Sequence, residues 1–269
     1  MTGPQITFLP DGRRLHLNHG PIDLIVDAEG PGREAALADA ARRFGTILDE
    51  LVAELPRLRR PLDAQPFGGT TAQRMARAVA PFAEFVTPMA AVAGSVADEI
   101  LSAMTRRTLT KAYVNNGGDI ALHLAPGASF TAASPAGPVT IRHGDAARGL
   151  ATSGWRGRSH SLGIADAVTV LARTAAEADA AATLIANAVD LPGHLSIKRT
   201  PARDLAPDSD LGDRPVTTGV GPLSPGDTAT ALAAGLAAAR RYRMRNLILA
   251  ASLTLNGQTV TTEEVLAHA

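Results

Sequence analysis

The stretch KAYVNNGGDIALHL at 111–124 constrains the fold more tightly than any other. Two apolar runs, Ala112-Tyr113-Val114 and Ile120-Ala121-Leu122, flank a polar and glycine-rich centre, the pattern of a β-hairpin. Asn116-Gly117 alone is a sufficient turn signal, so Asn115, Gly118 and Asp119 are surplus to it. A bulged hairpin explains Asn116-Gly117 but leaves Gly118 and Asp119 without a purpose. Spare glycine beside polar side chains marks a backbone that must approach something closely.

The rest of the chain supplies hairpins and long helices in alternation. Gln5–Leu9, a turn at Pro10-Asp11-Gly12 and residues 13–17 read as a first hairpin, with a further strand at 22–26. From about Arg33 to Leu58 the period changes. Leu37, Phe44, Leu48, Leu51, Leu55 and Leu58 form the apolar stripe of one long helix, which Pro56 stops or kinks. Residues 71–82 suggest a shorter helix, and 86–104 an alanine-rich helical piece bracketed by Pro88 and Gly94. Short strands are expected at 139–141 and 167–172, with a glycine- and serine-rich loop before the second. Thr174 and Glu177 match a capping box at the head of a helix over 174–190. A proline-rich loop spans roughly 201–215, Ser224 and Asp227 open a helix that runs to about Tyr242, and Asn256-Gly257 turns a closing hairpin. Such an order of elements indicates an α+β fold with mixed sheets and packed long helices, taken as a single domain over 1–269 with a motif core at 86–190. The small-residue helices 174–190 and 224–242 pack either within the chain or across a homodimer.

Composition narrows the chemistry. The 26 basic and 26 acidic residues cancel and only 3% of residues are aromatic, so neither nucleic acid nor an anionic membrane is an expected partner. Without cysteine there is no disulfide, zinc–thiolate site, iron–sulfur cluster or thiol nucleophile. No basic region followed by a long apolar run opens the chain, and no apolar run approaches a membrane span, so the expected location is the cytoplasm.

Three groups of residues carry candidate chemistry. Asp179 and Thr183 stand one helical turn apart, so a carboxylate and a hydroxyl share one face and can reach one hard cation such as magnesium. The bland alternative is a solvated aspartate beside a threonine bonded to its own helix. In the loop 151–161, Thr152, Ser153, Gly154 and Arg156 combine hydroxyls, exposed amides and a guanidinium, which suits a pyrophosphate as well as an ordinary solvated loop. His160 in the same loop is a candidate general base or phosphate partner, or a plain surface histidine. The other six histidines show no pair with metal-ligand spacing.

Taken in order, these segments resemble the ApbE superfamily of FAD:protein FMN transferases. The matching segments are Gly94 to Asp98, Asn115-x-Gly117-Gly118-Asp119, Ala151-Thr152-Ser153-Gly154, His160, Val168-Thr169-Val170 and Ala178-Asp179-x-x-x-Thr183. The resemblance implies an ApbE-like, T-fold-related architecture and a flavin dinucleotide at Asn115, Asn116, Gly117, Gly118 and Asp119. It also implies magnesium at Asp179 and Thr183, and FAD as substrate or ligand. The implied reaction breaks the FAD pyrophosphate, passing FMN to a hydroxyl of an acceptor protein or to water and releasing AMP. Two departures stand out. Ala93 replaces the family's lysine and Ser95 its tyrosine, and the segment after His160 is compressed to HSLGIAD. Such departures keep open a protein that binds a flavin or other nucleotide without turnover, and an enzyme on the same scaffold with a different small anionic ligand.

Overall fold

The structure, a computed structural model, describes residues 3–262. The chain divides into two compact units. The first comprises 1–131, 140–151 and 172–179, and the second 132–139, 152–171 and 180–269. The division falls inside one strand, Gly149–Ser153, and inside one helix, Ala175–Ala188.

The first unit begins with strands β1 (Gln5–Phe8), β2 (Leu15–His19) and β3 (Ile22–Glu29). Helices α1 (Arg33–Leu58), α2 (Thr70–Val79) and α3 (Val92–Met104) follow, then the hairpin β4 (Lys111–Asn116) and β5 (Asp119–Leu124). A 3-10 turn at Pro88–Ala91 leads into α3. Strands β6 (Ser129–Ala132) and β7 (Val139–Arg142) make a small separate pair. The main strands lie in the order β1-β2-β3-β4-β5, antiparallel throughout, and Ile120 and Ala121 of β5 pair in turn with Leu150 and Gly149 of β8 (Gly149–Ser153). The stripe of α1 is used as its spacing demands: Leu37, Phe44, Ile47, Leu48, Leu51 and Leu58 are buried. They pack in one cluster with Leu17, Leu24 and Val26 from the sheet and Val96, Ile100 and Met104 from α3. Pro56 sits in the last turn of α1, where the helix is already ending.

The second unit holds β9 (Ala167–Ala172) up to Leu171 and most of α4 (Ala175–Ala188). Then come β10 (Ile197–Pro201), the one-turn α5 (Ala202–Leu205), β11 (Pro215–Val220), α6 (Pro225–Met244), β12 (Ala250–Leu255) and β13 (Gln258–Thr261). Strand β12 pairs antiparallel with both β9 and β13, and β10 pairs with β11 in a ribbon of their own. Ser224 and Asp227 form a complete capping box at the head of α6. Among the described residues no helix is long and apolar enough to cross a membrane.

The α+β class expected from the sequence is the one observed, with six α-helices and thirteen strands among the described residues. Several local expectations are corrected. The 111–124 hairpin turns on Gly117-Gly118, not on Asn116-Gly117. Asn116 and Asp119 face each other as the last strand pair, and both glycines have positive φ, 65° and 112°. Two glycines therefore make the turn, because each central residue of this tight connection adopts a conformation that L side chains resist. Residues 149–153, read as loop, form β8, and the 201–215 loop contains α5 and ends at β11.

Candidate active site in the first unit

Three aspartates from three elements come together in the first unit: Asp98 on α3, Asp119 at the start of β5, and Asp179 on α4. Asp98 places its two carboxylate oxygens on the amides of Ala175 and Ala176, at 3.1 and 2.9 Å. Those amides are orphan donors of the first turn of α4, where a negative charge also meets the positive end of the helix dipole. Asp179, one turn later on α4, returns the favour by accepting from the Gly94 amide at 2.9 Å, near the head of α3. The two helices thus cap each other's first turns reciprocally. Thr174 adds its hydroxyl to the Glu177 amide at 3.2 Å, the threonine half of the expected capping box.

Gly94 is dictated by this contact. A Cβ at Gly94 would lie 2.2 Å from the carbonyl oxygen of Ala175, closer than any side chain is tolerated. The hairpin turn braces the same place. Asn116 donates from Nδ2 to the Ala93 carbonyl at 3.1 Å, and Asn115 Oδ1 accepts from the Gly118 amide at 2.8 Å. Every surplus residue of the Asn-Asn-Gly-Gly-Asp turn now has a task. Asn115 locks the turn, Asn116 holds the backbone before Gly94, the glycines reverse the chain, and the charge of Asp119 is felt by Asp179.

Electrostatics single out Asp179. Loss of solvation pushes its carboxyl well above the usual carboxylate range, and the nearby charge of Asp119 pushes it further. The amides of Gly94 and Ala93 act in the opposite direction, and Asp98 adds a smaller repulsion. Burial also raises Asp98, to about 6, against the amides of Ala176 and Ala175. Carboxylates that repel each other away from water suit a divalent cation, and magnesium favours such hard oxygen donors. Among the described residues no three His, Cys, Asp or Glu side chains form a metal cage by themselves.

The second unit holds the other expected residues. The Thr152 hydroxyl lies 2.9 Å from that of Thr169 on β9, and Ser153 is partly exposed. Arg156 is committed to Asp166 at 3.0 Å and covers the Trp155 ring, its guanidinium carbon 4.6 Å from the centroid. Asp166 is the hub of this loop, since it also accepts from Trp155 Nε1 at 3.3 Å and from the Asn256 amide at 2.7 Å. Gly154 is buried, and His160 is exposed and makes no side-chain hydrogen bond among the described residues. Thr183 lies one turn beyond Asp179 on α4, partly exposed. Sequence spacing pointed to Asp179 and to the hairpin turn. It gave no sign that Asp98 would cap α4 from 77 positions away.

Comparison with known proteins agrees with this architecture. A model of the family described as "AbpE bacteria" matches residues 6–261. A UPF0280 protein of Methanopyrus kandleri is 35% identical over 173 residues, which cover 61% of this chain and 69% of that protein. Another, from Methanoregula boonei, is 35% identical over 174 residues, 59% of this chain and 72% of the relative. The fold is similar to that of the flavinyl transferase ApbE of Pseudomonas stutzeri in its apo form, with a TM-score of 0.50 at 14% identity over 97% of this chain and 96% of that one. It is likewise similar to a variant of the flavin transferase ApbE from Vibrio cholerae, with a TM-score of 0.51 at 14% identity, covering 94% and 98% of the two chains.

Proposed function

The chain belongs to the AbpE bacteria family, and from that membership and its paired aspartates we propose a magnesium-dependent protein that acts on FAD. The reaction releases AMP and either frees FMN or passes it to a hydroxyl of an acceptor protein. One observation carries this reading: the buried Asp179, held by the Gly94 amide at 2.9 Å, also feels the repulsive charge of Asp119. The flavin transferases that share the fold support the substrate class.

Asp179 and Asp119, with Thr183 one turn along α4, would hold the cation, which when bound neutralises charge on the pyrophosphate. The chain's own residues prepare that place before any ligand arrives. Asn116 fixes the Ala93 carbonyl, the Gly94 amide orients Asp179, and Asn115 rigidifies the turn proposed to contact the flavin nucleotide. Thr152, Ser153, Gly154 and Arg156 are proposed as phosphate partners by their own chemistry, Arg156 sharing its charge with Asp166. In either reaction the bond that breaks joins the FMN phosphorus to the bridging oxygen, which leaves with AMP. The attacking hydroxyl or water gives up a proton, and His160 is proposed to take it.

The experiment is incubation of the protein with FAD and magnesium, with AMP and FMN quantified by chromatography and EDTA as control. AMP release that EDTA abolishes, and that Asp179→Ala loses, bears the reading out. Ala93 favours a second reading, binding of the flavin nucleotide without turnover. A methyl group stands where the resembled family carries lysine, and loss of such a charge-assisted contact costs about 1.5–3 kcal/mol. FAD that binds without releasing AMP would decide for this second reading. FAD that neither reacts nor binds would overturn both.

A further inference from the structure

Away from the aspartates, the helices of the first unit border an open hollow of about 650 Å³ whose lining includes Arg43, Glu50, Thr70, Glu99, Ser102 and Arg106. A second cavity of about 340 Å³ shares Arg43 and Arg106 with the first and adds Asp39, Arg42, Thr46 and Arg107. Most of these charges are spoken for. Arg43 grips Glu50 with two bonds of 2.8 and 2.7 Å and reaches Glu99 at 2.9 Å. Glu99 also takes Arg74 at 2.7 Å, and Asp39 takes both Arg42 at 2.9 Å and Arg107 at 2.6 Å.

Arg106 is different. It borders both cavities, is exposed, and makes no ion pair or side-chain hydrogen bond among the described residues. Arg42 and Arg107 each hold only part of one shared carboxylate, so the rim carries more guanidinium than its carboxylates can satisfy. A guanidinium fork matches phosphate with two parallel bonds, and several such forks around a concavity are an anion site. The larger volume falls in the range of small-molecule pockets. Neither cavity is lined by an aromatic ring, so nothing there stacks on a base, whereas Thr46, Thr70 and Ser102 offer hydroxyl partners.

We infer that this pair of cavities binds a small, hydroxylated, phosphate-bearing molecule through Arg42, Arg106 and Arg107, at a site separate from the paired aspartates. Isothermal titration of the full chain with glycerol 3-phosphate, in magnesium-free buffer at fixed ionic strength, tests it. Binding is expected, with a Kd raised about tenfold or more by Arg106→Glu or Arg42→Glu. Arg106 is exposed and pairs with no carboxylate among the described residues, so Arg106→Glu should keep the wild-type melting temperature, and Asp179→Ala should bind as the wild type does. Inorganic phosphate should bind more weakly than glycerol 3-phosphate, because the hydroxyl partners go unused. No binding to the wild type at about 10 mM, a concentration that would reveal even a millimolar Kd, would overturn the inference. So would equal binding by Arg106→Glu, or a loss shared with Asp179→Ala, which would place the ligand at the aspartates instead.

Discussion

Asp179 is placed where an ionised carboxylate is costly, and the cost should be measurable without any substrate. With its carboxyl raised by burial and by Asp119, the ionised form destabilises the metal-free fold. Asp179→Asn keeps an oxygen for the Gly94 amide and removes the charge. In EDTA at pH 8 it should be more stable than the wild type in denaturant unfolding while losing EDTA-sensitive AMP release; a loss of stability would sink the assignment. Asp98 gives the pH dependence. Its folded value of about 6 lies above the ordinary 3.8, so the folded state holds its proton more tightly than the unfolded state does. The contribution is full below about pH 4 and lost as the pH rises through about 6, on the order of 3 kcal/mol. Melting temperatures across that window in EDTA should fall with rising pH, and Asp98→Asn should flatten the slope. A slope unchanged in the variant would remove Asp98 as its cause.

Elements with a strong local signal could be read directly, and those defined by a distant partner could not. Helix α1 runs from Arg33 to Leu58, the span its apolar stripe predicts, because Phe44 and its neighbours recur at helical spacing wherever they are packed. Helix α6 announces itself through Ser224, Pro225 and Asp227. Strands β6, β8, β10 and β11 are four to six residues long, and Gly149 or Pro201 within them reads locally as a break. Strand β8 is a strand because Ile120 and Ala121 pair with Leu150 and Gly149, and no local window of sequence contains both partners. The site divides in the same way. The Asn-Asn-Gly-Gly-Asp turn and the Asp179–Thr183 spacing are local and stood out, whereas the mutual capping of α3 and α4 depends on contacts 77 to 85 positions apart. That capping makes Gly94→Ala an element-level test. A Cβ 2.2 Å from the Ala175 carbonyl forces the two helices apart, which should cost roughly 1–3 kcal/mol. Ser224→Ala on α6 removes a cap and should cost about 1 kcal/mol. Urea unfolding checks both, and Gly94→Ala alone should also impair turnover.

For the whole molecule, binding to the folded state is the test that joins the proposed chemistry to the fold. A ligand that binds only the native protein stabilises it in proportion to the logarithm of its excess over Kd, about 2.7 kcal/mol at a hundredfold excess. Asp119 and Asp179 both belong to the first unit, whose core joins α1 and α3 to strands β2 to β5. A cation on the proposed aspartates would therefore hold that core together, since unfolding it would disperse the ligands. Magnesium added to EDTA-treated protein should raise the melting temperature by a few degrees, at about 2–4 °C per kcal/mol for a chain of this size, and fresh EDTA should reverse the rise. Asp179→Ala should abolish the response. Relief of the repulsion that Asp119 exerts on Asp179 adds to the effect, so the gain should grow with rising pH, which favours the ionised form of Asp179. A magnesium response that survives Asp179→Ala would locate the cation elsewhere and detach the proposed FAD chemistry from these aspartates.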